Sequence, residues 1–311
     1  MKGDMVATRD AYGKALKRLG AENPNIVVLD ADLAESTRTA KFGEEFPERF
    51  FDMGVAEQNM IGVAAGLAST GKIAFASTFA VFATGRVYDQ IRQNLARSRL
   101  NVRIVASHGG ITVGEDGPSH QMCEDIALMR VLPNMKVFMP ADAIETERMI
   151  EASLKIEGPV YIRTHRAKFP TLYDEFYEFK PGKGSVLRYG KDVTVVACGL
   201  MVSEAMTAAE SLAGKGISVR VVNMSSIKPL DVELLVKCAR ETGRILTAEE
   251  HSVIGGLGGA VAEALGEAYP VPVRRMGMKD EFGITGDWKG LLKHFGLTAA
   301  HMEETIHRWL D

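Results

Sequence analysis

The stretch FFDMGVAEQNMIGVAAGLAST, residues 50–70, decides the fold, because it changes from a strand pattern to a helix pattern within a few residues. Its helical part consists almost wholly of small and apolar side chains. A carboxylate, Glu57, stands in the first helical turn, where burial would penalise its charged form. Two explanations remain open. Either Glu57 favours the positive end of the helix dipole, or it is a buried acid that keeps a proton and hydrogen-bonds a heteroaromatic nitrogen.

The alternation of short β-branched runs and longer helical patterns continues along the chain and is typical of parallel sheets covered by helices. In the first part, we predict strands at 26–30, 49–54, 73–78, 102–107, 136–140 and 160–164, and helices at 6–19, 56–69, 80–98, 120–131 and 142–157. In the second part, we predict strands at 192–199, 218–225, 244–250 and 271–277, and helices at 203–216, 230–243 and 259–268. The sequence therefore predicts two mostly parallel α/β domains, residues 1–168 and 191–311, joined by an aromatic and charged linker at 169–190.

Composition narrows the possible partners and compartment. The chain of 311 residues is 46% hydrophobic and 25% charged, which is ordinary for a globular protein. Its net charge of −3 gives no broad attraction to nucleic acid or anionic membranes. No apolar run has the length of a signal core or a membrane span. Three scattered cysteines, Cys123, Cys198 and Cys238, argue against a disulfide scaffold or zinc site. We expect a cytoplasmic protein.

Two phenylalanines in STFAVFATGRVYDQI, residues 77–91, are the first candidates for ligand contacts. Phe79 and Phe82 are three residues apart on one helix face, a spacing most often found in a core. They also follow the carboxyl end of a strand, where α/β sheets bind ligands. A flat ring would stack well at this position.

The loop SHGGITVGEDGPSHQMCEDIA, residues 107–127, is the most informative stretch. It follows a strand and carries His108, Glu115, Asp116 and His120 among four glycines. Loops so rich in glycine can fold closely around a neighbouring group, and polar side chains at strand ends commonly face a binding or catalytic site. A surface turn with incidental histidines is the alternative, and a metal site is disfavoured because these residues lack tight ligand spacing.

Several basic or hydroxyl side chains are candidates for binding an anion. Ser36 follows the first strand, where a helix N-terminus attracts negative charge. Arginine pairs with phosphate through two parallel hydrogen bonds, and Arg9, Arg163 and Arg166 are the arginines concerned. The glycine-rich HSVIGGLGGAV, residues 251–261, does not match a dinucleotide fingerprint and predicts a tight turn into a helix. We expect His251 there to be structural.

Taken together, these stretches resemble the carboxyl-terminal half of transketolase, a thiamine-diphosphate enzyme. The resemblance covers essentially the whole chain and is carried by ATRDAYGKAL (7–16), LDADLAEST (29–37), AEQNM (56–60), STFAVF (77–82), SHGGITVGEDGPSHQ (107–121), LPNMKVFMPAD (132–142) and EEHSVIGGLGGAVAE (249–263). It implies a pyrimidine-binding domain followed by a transketolase C-terminal domain. AEQNM and GEDGPSHQ, in that order, are the most specific of these motifs.

The resemblance assigns roles around the cofactor. Glu57 matches the glutamate that shares a proton with a ring nitrogen of the aminopyrimidine and so helps to activate the thiazolium carbon. Phe79 and Phe82 match the aromatics that enclose the pyrimidine. Asp30 matches an acidic residue near the cofactor.

It also assigns roles along the sugar channel. His108 matches a residue near the substrate phosphate, and Asp116 one near a donor hydroxyl. His120 stands where members have either histidine or glutamine, and we group it with Glu57 and His108 as catalytic. The phosphate-contacting set is matched by Arg9, Ser36 and Arg163.

One part of the family pattern is missing. Full-length members begin with a diphosphate-binding domain whose GDG motif is followed by an asparagine pair that holds Mg²⁺, and this sequence has no such pattern. We therefore expect no metal ligands here, thiamine diphosphate as cofactor, and Mg²⁺ bound by a separate N-terminal subunit. In the family the cofactor lies between protomers, so we expect an α2β2 assembly.

The resemblance implies transfer of a two-carbon ketol unit between phosphorylated sugars, in the pentose phosphate route or a specialised catabolic one. Two enzyme alternatives are a 1-deoxyxylulose-5-phosphate synthase and the β subunit of a 2-oxoacid dehydrogenase. A non-catalytic paralogue that retains the fold is the alternative from a different class.

Overall fold

The fold was obtained as a computed structural model, which describes residues 3–310. The outermost residues of the two predicted domains, 1–2 and 311, lie outside the described part. The strands of the first 170 residues are β1 Met5–Ala7, β2 Ile26–Asp30, β3 Phe50–Asp52, β4 Ile73–Phe79, β5 Val102–Ser107, β6 Lys136–Phe138, β7 Val160–Arg163 and β8 Lys168–Pro170. The α-helices there are α1 Thr8–Glu22, α2 Ala34–Thr37, α3 Ala40–Glu45, α4 Glu57–Ser69, α5 Tyr88–Gln90, α6 Asp125–Val131 and α7 Ala143–Ser153.

The remaining chain builds a second α/β unit. Its strands are β9 Ser185–Arg188, β10 Val193–Ala197, β11 Val219–Asn223, β12 Ser226–Lys228, β13 Ile245–Ser252 and β14 Val273–Met278. Its helices are α8 Met201–Ala213, α9 Val232–Thr242, α10 Leu257–Ala268, α11 Trp288–His294 and α12 Ala299–Leu310. Among residues 3–310, no helix is both long and apolar enough to cross a membrane.

Two mostly parallel sheets organise these elements, which confirms the predicted fold class. The larger has seven strands in the order β12-β6-β7-β5-β4-β2-β3, and only β12 runs antiparallel to its neighbour. The smaller has five strands in the order β14-β13-β10-β11-β9, with β9 antiparallel. Strands such as β2 and β5 are buried along their whole length, as expected for sheets covered on both faces.

The predicted linker is less isolated than its composition indicates. At its start, β8 pairs antiparallel with β1, and at its end β9 joins the second sheet. In addition, β12 comes from the second half of the chain but extends the first sheet beside β6. A three-residue strand that covers the edge of another domain's sheet has no periodicity of its own, so the sequence pattern did not predict it.

The helix predicted at 80–98 is wound differently. It consists of π-helical turns at Phe82–Arg86 and Ile91–Arg97 with the short α5 between them. Thr84 Oγ1 donates a hydrogen bond to the Ala80 carbonyl at 2.7 Å, which competes with the regular helical ladder. Gly85 is exposed and has low helix propensity. Wide turns of this kind are frequent at functional sites.

The helix predicted at 120–131 begins later, at Asp125. Its first five residues belong to a closed loop, because the Gly110 backbone N–H donates to the Met122 carbonyl at 2.6 Å. A 3₁₀ turn at Ile111–Asp116 fills this loop. The loop thus keeps His108, Asp116 and His120 together at the carboxyl end of β5.

A buried carboxylate at the junction joins the two halves. Glu145, on α7 of the first half, accepts hydrogen bonds from Asn223 Nδ2 at 2.9 Å and Ser225 Oγ at 2.7 Å, both from the second half. Tyr177 of the connecting segment donates to it at 2.6 Å, and the Ala141 amide at 2.7 Å. Burial raises the pKa of Glu145. These contacts tie the two halves and the segment between them.

Candidate active site

Glu57 is the first residue of α4 and is only 3% exposed. Its position at a helix start places the carboxylate at the positive end of the helix dipole. Its surroundings are not wholly apolar, however. Arg86 Nη1 lies 2.8 Å from Glu57 Oε1 and 3.0 Å from Oε2. The expectation of an acid among apolar side chains is therefore corrected: in the free chain an arginine from the π-helical segment covers the carboxylate.

The two predicted aromatics form a row beside Glu57. Phe79 ends β4 and Phe82 begins the first π-helical turn, and their rings are parallel within 10° with centroids 6.1 Å apart. The guanidinium carbon of Arg86 lies 4.5 Å from the Phe82 ring centroid. At the other end of the row, the His108 ring stacks on Phe79 at 3.7 Å. The row thus runs from Glu57 to the glycine-rich loop.

His108 is held tightly and is uncharged. It follows β5 with a positive φ of 59°, an unusual backbone conformation for a residue other than glycine, and is 3% exposed. Ser107 Oγ lies 2.7 Å from its Nδ1, and Arg9 Nη1 lies 3.5 Å from its Nε2. Burial, together with the nearby Arg9 charge, lowers the pKa of His108 to about 3. A neutral imidazole can accept a hydrogen bond or a proton.

His120 reaches the same row from the far side of the loop. Its ring contacts Phe79 and Phe82 edge-on, with centroid distances of 6.2 Å and 5.6 Å. Ser119 Oγ lies 2.9 Å from His120 Nδ1. The structure therefore brings both predicted histidines to the aromatic row.

Arg9 and Ser36 meet next to His108. Arg9 lies in the first turn of α1, and its Nη1 donates to the Ser36 carbonyl at 2.9 Å. Arg9 Nε is buried and has no hydrogen-bond partner within residues 3–310. Burial and the neighbouring Arg38 charge lower the pKa of Arg9. A buried donor without a partner is costly, and an anion here would satisfy it.

Asp116 and Arg166 complete the basic end of the cluster. Arg166 Nη1 lies 3.3 Å from Asp116 Oδ2 and 3.3 Å from the Val113 carbonyl, and both charged side chains are half-exposed. The charges of Arg9 and Arg166 both act on His108. Two guanidinium groups whose charges both act on His108 favour a small anion beside it.

Arg163 lies elsewhere, and its contact with a substrate phosphate stays a prediction. It is fully buried below the glycine-rich loop, where its Nη1 lies 3.3 Å from Asp125 Oδ1 and its Nη2 donates to the Glu250 carbonyl at 2.9 Å. A Cβ on Gly109 would come within 2.1 Å of Arg163 Nε. Arg163 therefore supports the loop from inside, because it points toward the second half of the chain.

Asp30 is also engaged within the fold. Its Oδ2 accepts hydrogen bonds from Thr37 Oγ1 at 2.6 Å and Thr39 Oγ1 at 2.7 Å, and its Oδ1 from the Leu33 amide at 2.8 Å. Burial raises the pKa of Asp30 to about 6. Both oxygens thus shape the turn around α2, and the contact of Asp30 with the cofactor stays a prediction.

Arg86 provides a test of whether the pocket fits an aminopyrimidine. Its guanidinium is a flat N–C–N group that lies over Phe82 and pairs with Glu57. An aminopyrimidine is also flat and carries a nitrogen at its edge, so it needs the same two contacts, an aromatic face and a carboxylate. Phe82 and Glu57 therefore fit this ring. Within the described residues, no group of three or more His, Cys, Asp and Glu side chains is arranged to hold a metal ion.

Two residues of this cluster were not selected from the sequence as site residues. Arg166 is among the basic candidates, but the family resemblance assigns the phosphate contact to Arg163. Side chains just beyond the carboxyl end of a strand face the site, and that rule favours Arg166. No local sequence pattern indicates Arg86 as a site residue, because its contact with Glu57 spans 29 residues.

Comparisons with known proteins show the family of the chain. The family model described as "Transketolase, pyrimidine binding domain" matches residues 4–171, and "Transketolase, C-terminal domain" matches residues 182–302. A solved structure described as a split-gene transketolase, an inactive beta4 tetramer, superposes with a TM-score of 0.92 at 55% identity and covers 98% of both chains.

Two curated relatives have nearly the same length. A putative transketolase C-terminal section from Methanocaldococcus jannaschii is 49% identical over 98% of this chain and 97% of its own. The 6-deoxy-6-sulfo-D-fructose transketolase subunit SqwH from a Clostridium strain is 46% identical over 96% of this chain and 93% of its own. The resemblance drawn from the motifs is thus confirmed: the chain belongs to the transketolase family and carries that family's pyrimidine-binding and C-terminal domains.

Proposed function

We propose that this chain is the C-terminal subunit of a split, thiamine-diphosphate-dependent transketolase that moves a two-carbon ketol unit between phosphorylated sugars. The observation that carries the proposal is a continuous row of side chains. It begins at buried Glu57, passes Phe82 and Phe79, and ends at His108 beside two arginines. Such a row puts a binding site for a flat ring next to a binding site for an anion.

The cofactor, when bound, supplies a nucleophilic carbon that can hold the ketol unit. Glu57 would share a proton with a nitrogen of the aminopyrimidine, and its burial keeps water away from that proton. Phe79 and Phe82 would stack against the ring and exclude water. Neutral His108 would accept a hydrogen bond or a proton from a sugar hydroxyl, and His120 would do so from the opposite side of the row.

Arg9 and Arg166 would bind the anionic end of the sugar, with Ser36 and Asp116 beside them. Support for Arg9 comes from its buried, partnerless Nε, and support for Arg166 from its exposure. The same guanidinium groups would accept a phosphate or a sulfonate, since both are tetrahedral oxyanions. The anionic group and the carbon-chain length of the sugar that binds best determine the preferred substrate. The substrate in turn distinguishes the pentose phosphate route from a specialised catabolic one.

We further propose a separate N-terminal subunit that holds the diphosphate through Mg²⁺, in an α2β2 complex. Support comes from relatives of the same span, one of them named a C-terminal section and another a split-gene chain. Residues around Glu57 are open to such a partner, since Val55 is 72% exposed. The unpaired cysteines are consistent with the cytoplasm as the compartment.

The test is to purify this chain, combine it with the proposed N-terminal subunit, and supply xylulose 5-phosphate with an aldose phosphate. We expect ketol transfer by the complex and none by either chain alone. Glu57→Gln should lower kcat at least about 100-fold, whereas Glu44→Gln, an exposed carboxylate on α3, should leave kcat unchanged. Pyruvate consumption would favour the synthase or dehydrogenase alternatives, and full activity of Glu57→Gln would favour a non-catalytic paralogue.

A further inference from the structure

Arg86 forms an ion pair with Glu57 that has no role in a mechanism in which Glu57 shares a proton with the cofactor. Both carboxylate oxygens of Glu57 lie within 3.0 Å of Arg86 Nη1, and the guanidinium lies over the ring of Phe82. A guanidinium stays protonated in proteins, and a positively charged N–H donor at both oxygens favours a carboxylate without a proton. Glu57 cannot make this contact and share a proton with a ring nitrogen at the same time.

The contacts of Arg86 are those that an aminopyrimidine would need. A flat N–C–N group lies against one aromatic face while its edge meets the carboxylate. A ring that made these two contacts would occupy the space of the guanidinium. A ring that binds there must first displace the guanidinium.

Arg86 is placed so that it can leave. Its side chain is 47% exposed, whereas that of Glu57 is 3% exposed. The preceding Gly85 is exposed, and within the described part of the chain nothing lies within 4 Å of a Cβ added to it. The Arg86 carbonyl accepts a hydrogen bond from Gln58 Nε2 at 3.2 Å, which anchors its backbone to α4. The side chain can therefore swing outward while the backbone stays in place.

We propose that Arg86 is an internal stand-in for the aminopyrimidine, occupying the ring site of the free chain and giving it up when the cofactor binds. This rests on the proposed function. The consequence is a lower apparent affinity of the free chain for the ring, by the fraction of molecules in which Arg86 has swung away. Glu57 is thus neutralised and covered until cofactor and partner together displace the arginine.

The experiment compares three full-length chains by isothermal titration calorimetry with the hydroxymethyl aminopyrimidine half of thiamine as the probe. Arg86→Met removes the guanidinium but keeps a long side chain. Arg92→Met is the matched control, because Arg92 is an exposed arginine on the second π-helical turn. We expect Arg86→Met to bind the probe at least tenfold more tightly than wild type, and Arg92→Met to bind like wild type.

Arg86→Lys separates occupation of the site from loss of charge. Lysine keeps a positive charge but lacks the flat, two-pronged group, so its affinity should lie between those of wild type and Arg86→Met. It also provides a well-folded comparison if Arg86→Met is less stable, which circular dichroism would report.

Equal or weaker binding by Arg86→Met, or no binding by any chain, would overturn the proposal that Arg86 occupies the ring site. Removal of a competing side chain must increase the affinity for the probe. That result is distinguishable from failure of the proposed function. A complex that transfers ketol units and depends on Glu57, but whose Arg86→Met chain gains no affinity for the probe, loses this inference alone.

Discussion

Arg163 and Arg166 are three residues apart yet lie in opposite environments. Arg163 ends β7, is fully buried, and is paired with Asp125 and Glu250. Arg166 follows the strand, is half-exposed, and contacts Asp116. A buried charge that loses its partner is far more costly than an exposed one. Substitution of Arg163 should therefore lower the free energy of unfolding much more than substitution of Arg166.

We expect Arg163→Met to lower the free energy of unfolding by roughly 3–5 kcal/mol, because it leaves two buried carboxylates without a cation. Arg166→Met should change it by less than about 0.5 kcal/mol. Urea unfolding followed by circular dichroism measures both. An Arg163→Met chain as stable as wild type would contradict the buried network.

In the assembled enzyme, Arg166→Met should raise KM for a phosphorylated donor at least about tenfold, since hydrogen bonds to a charged group are worth about 1.5–3 kcal/mol. A neutral donor such as an unphosphorylated ketose should show a smaller change. Steady-state kinetics with both donors is the measurement. An equal change for both donors would mean that Arg166 does not bind the anion.

His108 should make the stability of the chain depend on pH. Its pKa is lowered to about 3 by burial, whereas an unfolded histidine titrates near 6.5. As the pH falls below 6.5, the unfolded chain takes up a proton that the folded chain does not, so stability is lost. Between pH 7 and pH 5 this amounts to about 2 kcal/mol. His108→Gln should lack this part of the acid destabilisation in urea unfolding, and an unchanged pH dependence would argue for a charged histidine.

At the scale of elements, α4 buries one face and leaves the other open. Met60, Ile61 and Ala64 are fully buried. Gly62 and Gly66 are exposed, and among residues 3–310 nothing lies within 4 Å of a Cβ added to either. The contacts of this helix are therefore one-sided in the free chain, although nearly all of its residues are small or apolar. A glycine inside a helix costs about 0.5–1 kcal/mol relative to alanine.

We expect the double substitution Gly62→Ala and Gly66→Ala to stabilise the free chain by about 1–2 kcal/mol, because each alanine reduces the entropy of the unfolded chain without a clash. Thermal unfolding at several protein concentrations measures this. A lower melting temperature would show that another copy of the chain already covers this face.

At the scale of the whole molecule, Glu145 joins the halves by accepting from side chains of the second half and of the connecting segment. We expect Glu145→Ala to cost at least about 3 kcal/mol, because it leaves several buried donors unsatisfied. Glu151→Ala on the same helix removes only exposed ion pairs and should cost less than about 1 kcal/mol. Urea unfolding compares the two, and equal losses would contradict the role of Glu145 at the junction.

The strands were predicted well because each is a short, continuous apolar run. Most of the predicted strands and helices occur with ends shifted by a few residues, as for β10 at Val193–Ala197. The short edge strands that the sequence does not predict depend on their neighbours. α11 and α12 were not proposed, and β12 exists only because the edge of β6 is beside it.

The sequence by itself determined the α/β alternation, the order of the motifs and the family, because these depend on local spacing and residue type. Only the tertiary structure decided which charges meet. Arg86 reaches Glu57 across 29 residues, and Arg163 reaches Glu250 across 87. Such pairs depend on how separate elements pack and how each backbone end is turned, and no local periodicity contains that information.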